Sequence, residues 1–134
     1  MHRHAIPSPA HPEDLSRVTA VFKALSEPLR VQLLLLLRDG ERNVGQLVEA
    51  LGVPQSTVSR HLALLRGAHL VHTRRDGTHV YYRLADAHVA RLVEEAFSHA
   101  LHERLGLPDH PPRGGAPAPG VAEPWPGGPR PAGS

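Results

Sequence analysis

The chain has no cysteine. Disulfides, thiolate metal sites and cysteine nucleophiles are therefore excluded. It lacks a long apolar run as well, since the leucines at 33 to 37 are far too few to span a bilayer. Near the N-terminus there is no apolar stretch of the kind a secretory signal needs, so a soluble, cytoplasmic protein with no membrane partner is expected. Catalytic signatures are missing too. Residues 99 to 103 read HALHE, a zincin's letters in the wrong order, and neither a Gly-rich phosphate loop nor a nucleophile elbow is present. An enzyme is not expected. Aromatics make up only 4% of 134 residues, and from Leu107 to Ser134 the sole aromatic is Trp125 among 9 Pro and 6 Gly.

Such a C-terminal stretch cannot bury enough apolar surface to offset its ordering entropy, so residues 107–134 read as a disordered Pro/Gly-rich tail. Residues 1–12, with three prolines and no apolar period, read as a flexible N-terminal arm. Between them, residues 13–106 have the patterning of one small folded domain. Leu15, Val18, Val21, Phe22 and Leu25 recur at helical spacing. A second helix follows, with Ser26 as its cap, Pro28 in its first turn and Gly40 as its stop; its leucines lie nearly all round, which places it centrally. A short helix turns Leu47, Val48 and Leu51 inward and ends at Gly52. The next starts at Pro54 to Ser56 and buries Val58, Leu62 and Leu65. The period then changes to alternation on both sides of Asp76-Gly77, a strong hairpin signal, before a last helix that stops at Gly106. The predicted order is α-α-α-α-β-β-α.

Net charge is only +2 but unevenly placed. Val53 to Arg83 holds five arginines and one acid, whereas Leu84 to Gly106 holds two arginines and four acids. The first segment suits a polyanion and the second a cation. Two helices joined near Gly52 to Pro54 form a helix-turn-helix unit, and Gln55, Ser56, Thr57, Ser59 and Arg60 crowd the exposed first turns of the second helix. Short hydroxyls permit close approach to phosphate and base edges, and Arg60 reaches a guanine edge or a phosphate. Arg74 and Arg75 precede the hairpin turn and His79 follows it, as in the basic wing of a winged helix. Two adjacent helices alone would as readily be plain packing; the basic hairpin directly after them favours double-stranded DNA as the partner.

The stretches ALSEPLRVQLLLLL and LVEALGVPQSTVSRHLALLRGAHLV, then the Asp-Gly wing and YYRL, resemble the ArsR/SmtB family of winged-helix metal-responsive repressors. The resemblance spans about residues 15 to 105. It implies a mostly α winged helix-turn-helix fold with a two-stranded β-wing, and a homodimer that represses an operator until an inducer binds. Its recognition helix would be Ser56 to Arg66.

The last helix carries Asp86, His88, His99 and His102. His88 and His99 are about 16 Å apart along a helix axis, beyond the reach of one ion with bonds of roughly 2 Å. Two antiparallel copies remove the difficulty. Neighbours across such a pair have a constant sum of residue numbers; 88 and 99 give 187, and 86 and 102 give 188. Each dimer would then hold two sites, each made by Asp86 and His88 of one chain with His99 and His102 of the other. At 100° per residue, His99 and His102 lie about 20° and 40° from His88, on opposite sides, while Asp86 is off this face at the helix start, where the entering chain can bend it toward the site. Plainer roles are open to each residue: Asp86 as a helix cap, and His99 and His102 as partners of the helix dipole.

The spacing D-x-H-x10-H-x2-H also resembles the last-helix site of the family's zinc and nickel/cobalt sensors. The family's other common site uses cysteines at the start of the third helix; here that stretch is ERNVGQL, which argues against arsenic, antimony, lead and cadmium. One carboxylate and three imidazoles suit Zn(II) or Co(II), while ligands added from His2, His4 and His110 would favour Ni(II) or Co(II). The nickel/cobalt branch recruits tail histidines in this way, although Arg104 stands where it has another histidine. By resemblance to the zinc sensors, His99 would donate its second ring N–H to the backbone carbonyl of His69. His61, His72 and His79, without partners at ligand spacing, are expected to pack or meet phosphate. The competing reading keeps the fold and gives the regulator a non-metal inducer.

Overall fold

The computed structural model describes residues 5–106. His2, His4, His110 and the expected tail lie outside the described residues. Helix α1 (Pro12–Ala24) starts where His11 accepts a hydrogen bond from the Glu13 N–H, with Pro12 at its first position. It buries little within its own chain. Leu15, Val18 and Phe22 stay 57%, 49% and 60% exposed, although their spacing is that of a core stripe.

Helix α2 (Pro28–Arg38) is the centre, burying Leu29, Leu33, Leu34 and Leu37. The expected serine cap is not formed. Glu27 occupies that position without a side-chain bond, and the Ser26 hydroxyl instead donates to the Lys23 carbonyl at 2.6 Å. A two-residue strand, β1 (Arg42–Asn43), comes next and adds to the expected element order. Asn43 also opens α3 (Val44–Leu51) through a reciprocal capping box with Gln46, both bonds 2.8 Å. Gly52 closes α3 in the left-handed region, at φ 68°, which a side chain would disfavour.

Helix α4 (Gln55–Gly67) turns Val58, Leu62 and Leu65 fully inward. Strands β2 (Val71–Asp76) and β3 (His79–Leu84) form the hairpin, with Val71 opposite Leu84 and Asp76 opposite His79. The two loop residues are thus Gly77 and Thr78. Gly77, at φ 62°, holds the position where a type II′ turn requires glycine. Strand β1 pairs antiparallel with the other side of β3, giving the order β1-β3-β2. Helix α5 (Ala87–Leu105) lays Val89 and Val93 on the core, with Phe97 partly buried along the same line. No described helix is long and apolar enough to cross a membrane.

Candidate nucleic-acid interface and metal centre

On α4 the sequence divides cleanly. Val58, Leu62 and Leu65 anchor the helix, which leaves Gln55, Ser56, Ser59 and Arg60 exposed and Thr57 half-buried on its N-terminal turns. The helix is fixed from behind by a buried guanidinium. Arg30 of α2 donates to the Ala24 carbonyl at 2.7 Å, to the Lys23 carbonyl at 3.3 Å and to His61 Nδ1 at 3.0 Å. It thereby joins the end of α1 to α4. Two carbonyls and an imidazole lone pair replace the carboxylate that a buried cation usually needs.

Arg60 approaches the other nitrogen of His61, Nε2, at 3.3 Å. A neutral imidazole has one lone pair, so it cannot accept from both arginines. The shorter, buried bond to Arg30 takes it, and the Arg60 guanidinium remains available for another acceptor. Burial, then the charges of Arg60 and Arg30, hold the His61 pKa below the ordinary imidazole value. The inward place of His61 was legible in its spacing, three residues after Val58 and beside Leu62.

The wing's two arginines differ. Arg74 is bound by Glu41, with Nε 3.2 Å from both carboxylate oxygens, and stands over the Tyr81 ring at 4.8 Å. This hydrogen bond, more than the charge itself, holds the Glu41 carboxyl below its usual range. Arg75 is exposed and has no ion pair among the described residues. His79 lies tilted against Tyr81, with centroids 6.2 Å apart. Glu41 escaped the sequence reading because it is 33 residues from Arg74.

On α5, Asp86 is the N-cap, with Oδ1 accepting from the Val89 N–H at 3.1 Å. Its plain role is therefore real, and its second oxygen is not used by that bond. His88 is exposed, and its Nδ1 accepts from Arg91 at 2.9 Å. A metal-bound neutral imidazole has no lone pair left, so coordination through either nitrogen must displace Arg91 from this contact. His99 is 79% exposed, with Nε2 3.8 Å from Glu103. His102 is half-buried, and its carbonyl accepts from the Gly106 N–H that closes the helix. The described hydrogen bonds do not include one from His99 to the His69 carbonyl. His69 itself is exposed and sits at φ 60°, the one described non-glycine residue in the left-handed region.

Within one chain, no three His, Asp or Glu side chains among the described residues come together as a metal site. The inward face of α5, marked by Val89, Val93 and Phe97, lies about 100° to 180° round the helix from His88. The histidines thus occupy the opposite, open face, with Leu92 37% exposed between them. Three imidazoles on an accessible face, with the Asp86 carboxylate at the helix start, fit a borderline divalent cation, but only if a second set of donors is brought up to them.

Residues 27–73 match the model of the bacterial regulatory protein, arsR family. The chain is 44% identical over 110 residues to the HTH-type transcriptional regulator KmtR of Mycobacterium tuberculosis, covering 82% of this chain and 85% of that protein. It is 40% identical over 108 residues to the regulator NmtR of the same organism, covering 81% and 90%. Among solved structures, apo-NmtR superposes with a TM-score of 0.60 at 38% identity over 86% of this chain and 95% of that one. The homodimeric winged helix-turn-helix domain of Mb0332 from Mycobacterium bovis gives 0.66 at 38% identity, over 72% and 90%. These relatives are DNA-binding regulators and not enzymes. The helix pair, the basic hairpin that follows it and these likenesses lead to one conclusion: the chain belongs to the ArsR/SmtB family of winged helix-turn-helix, metal-sensing transcriptional repressors.

Proposed function

We propose that the protein works in the cytoplasm as a homodimer that occupies an operator when metal-free and leaves it when Zn(II), or Ni(II)/Co(II), binds between its two α5 helices. One observation carries this reading. His88, His99 and His102 stand on the face of α5 that its own chain leaves open, with Asp86 off that face at the helix start, and their spacings pair only against an antiparallel copy. The bare stripe of Leu15, Val18 and Phe22 on α1 supports a second copy as the missing partner.

Each site takes Asp86 and His88 from one protomer and His99 and His102 from the other. The bound cation supplies a fixed link between subunits. Asp86 and His88 sit where α5 leaves the wing, next to β3, while His99 and His102 sit at its far end. Filling the site therefore fixes the root of one wing against the partner's helix. The reading turns of α4, Gln55, Ser56, Thr57, Ser59 and Arg60, together with wing residues Arg74 and Arg75, are then held at a spacing unsuited to the operator half-sites. The second N–H of His99, donated to the His69 carbonyl, would carry the change to the end of α4. His2, His4 and His110 are proposed as further ligands if the ion is Ni(II) or Co(II).

The coupling between the two ligands is expected at about 1–3 kcal/mol, the usual range for such systems. The test is an operator titration with and without each metal, on wild type and on His99→Ala. Metal should release the wild type and leave the variant bound; equal release of both would remove the site from the mechanism. Equilibrium dialysis against Zn(II), Co(II) and Ni(II) separates this reading from a regulator with a non-metal inducer, which would show no tight site. Visible absorption of the Co(II) form, strong for four ligands and weak for six, tells whether the tail histidines join.

A further inference from the structure

Arg74 and Arg75 are adjacent on β2, so their side chains leave opposite faces of the sheet. Arg74 lies directly opposite Tyr81 of β3, and the same Tyr81 lies opposite Asn43 of β1 on its other side. Glu41 precedes β1 immediately and holds the Arg74 guanidinium through both carboxylate oxygens, with Nη2 adding a further bond to Oε1. Asp76 flanks it at 3.8 Å. The pair consequently closes over the Tyr81 ring and ties the two outer strands together across the central one. Arg74 is flanked by two carboxylates and an aromatic face with half its side chain still exposed, whereas Arg75 has no partner among the described residues.

We propose that the two arginines have separate tasks: Arg74 is a positioning residue that straps the wing to the helix-turn-helix body, and Arg75 supplies the wing's phosphate contact. This rests on the wing being a DNA-contacting element, as proposed above. The reason is electrostatic. A cation matched by a carboxylate of its own protein has less charge left with which to displace counterions from DNA, and the Nε and Nη2 donors of Arg74 are already turned to Glu41. A free guanidinium displaces them fully. The strap also gives the hairpin a fixed direction, because a two-stranded ribbon held only at its root would swing about its turn and strand ends.

The salt dependence of operator binding by the full-length, metal-free protein separates the two roles. Each phosphate contact contributes about 0.9 to the slope of log K against log salt, so a dimer with two wings loses about 1.8 when that contact is removed. Arg75→Gln is expected to make the slope shallower by about that amount. The charge-neutral double variant Glu41→Gln with Arg74→Gln is expected to weaken binding several-fold at every salt concentration and leave the slope unchanged. In that variant, amide hydrogen exchange around Gly77 to Val80 should quicken while α4 keeps its protection. A double variant that loses as much slope as Arg75→Gln, or that binds with wild-type affinity and wild-type exchange, would overturn the proposal. If the wing did not touch DNA at all, Arg75→Gln would itself leave the slope unchanged, which marks that failure apart from the other.

Discussion

The two ends of this molecule are completed in different ways. The reading end is finished within one chain: α4 buries Val58, Leu62 and Leu65, Arg30 bolts it to α1 and α2, and β1 braces the wing. The α1 and α5 faces are half-built. Leu15, Val18 and Phe22 lie bare, and Asp86 and His88 stand at one end of α5 with His99 and His102 at the other. A part with its own core can hold a DNA-reading surface ready at all times. A part that needs a second chain makes sensing depend on how two chains meet, and in the mechanism proposed above this is what lets a small ion alter the spacing of two reading heads.

The sharpest way to break the comparison is to remove the core that the reading end owns. Leu62→Ala should cost about 2–5 kcal/mol, a large share of the 5–15 kcal/mol that holds a domain folded. Thermal unfolding should shift down strongly, and operator and metal binding should fail together. Phe22→Glu attacks the other end. It takes an apolar anchor from the proposed dimer face, expected to cost about 2 kcal/mol or more of association. Sedimentation should then show a monomer with wild-type helix content that binds metal far more weakly. If that monomer kept full metal affinity, the sensing end would not need its partner.

A smaller effect is expected at the buried imidazole of the reading end. The folded pKa of His61 is depressed, so the folded state resists the proton that the unfolded state accepts. Its share of stability is whole above about pH 6.5, the unfolded value, and is lost as pH falls through the window between that value and the lower folded one. In metal-free protein, His61→Gln should flatten this part of the stability profile, read by denaturant titrations between pH 7.5 and 5. A variant profile as steep as wild type would assign the loss to other groups.

Much of the reading end was legible because its signals are local. Gly52 and the spacing of Val58, Leu62 and Leu65 each act within a few residues, and the structure forms both. Strand β1 was not legible, since two residues have no period and its existence depends on Tyr81 and Tyr82 forty residues away. The same holds for Glu41, which turns Arg74 from a free charge into a bound one. Ser26 had the right chemistry for a cap but stands one residue early and bonds backward to Lys23. The apolar stripe of α1 was plain as a period; whether its cover is the same chain or another is not written in a period. The proposal that Asp86, His88, His99 and His102 form one set rests on the requirement that they meet in pairs across two chains.

Mixed dimers test that requirement most directly. One subunit carries Asp86→Ala and His88→Ala, and the other carries His99→Ala and His102→Ala. Sites shared between antiparallel chains predict that neither variant binds Zn(II) tightly alone, while the mixed dimer recovers one complete site and binds one ion. A mixed dimer that binds none, or a parent variant that binds as wild type does, would contradict the shared site.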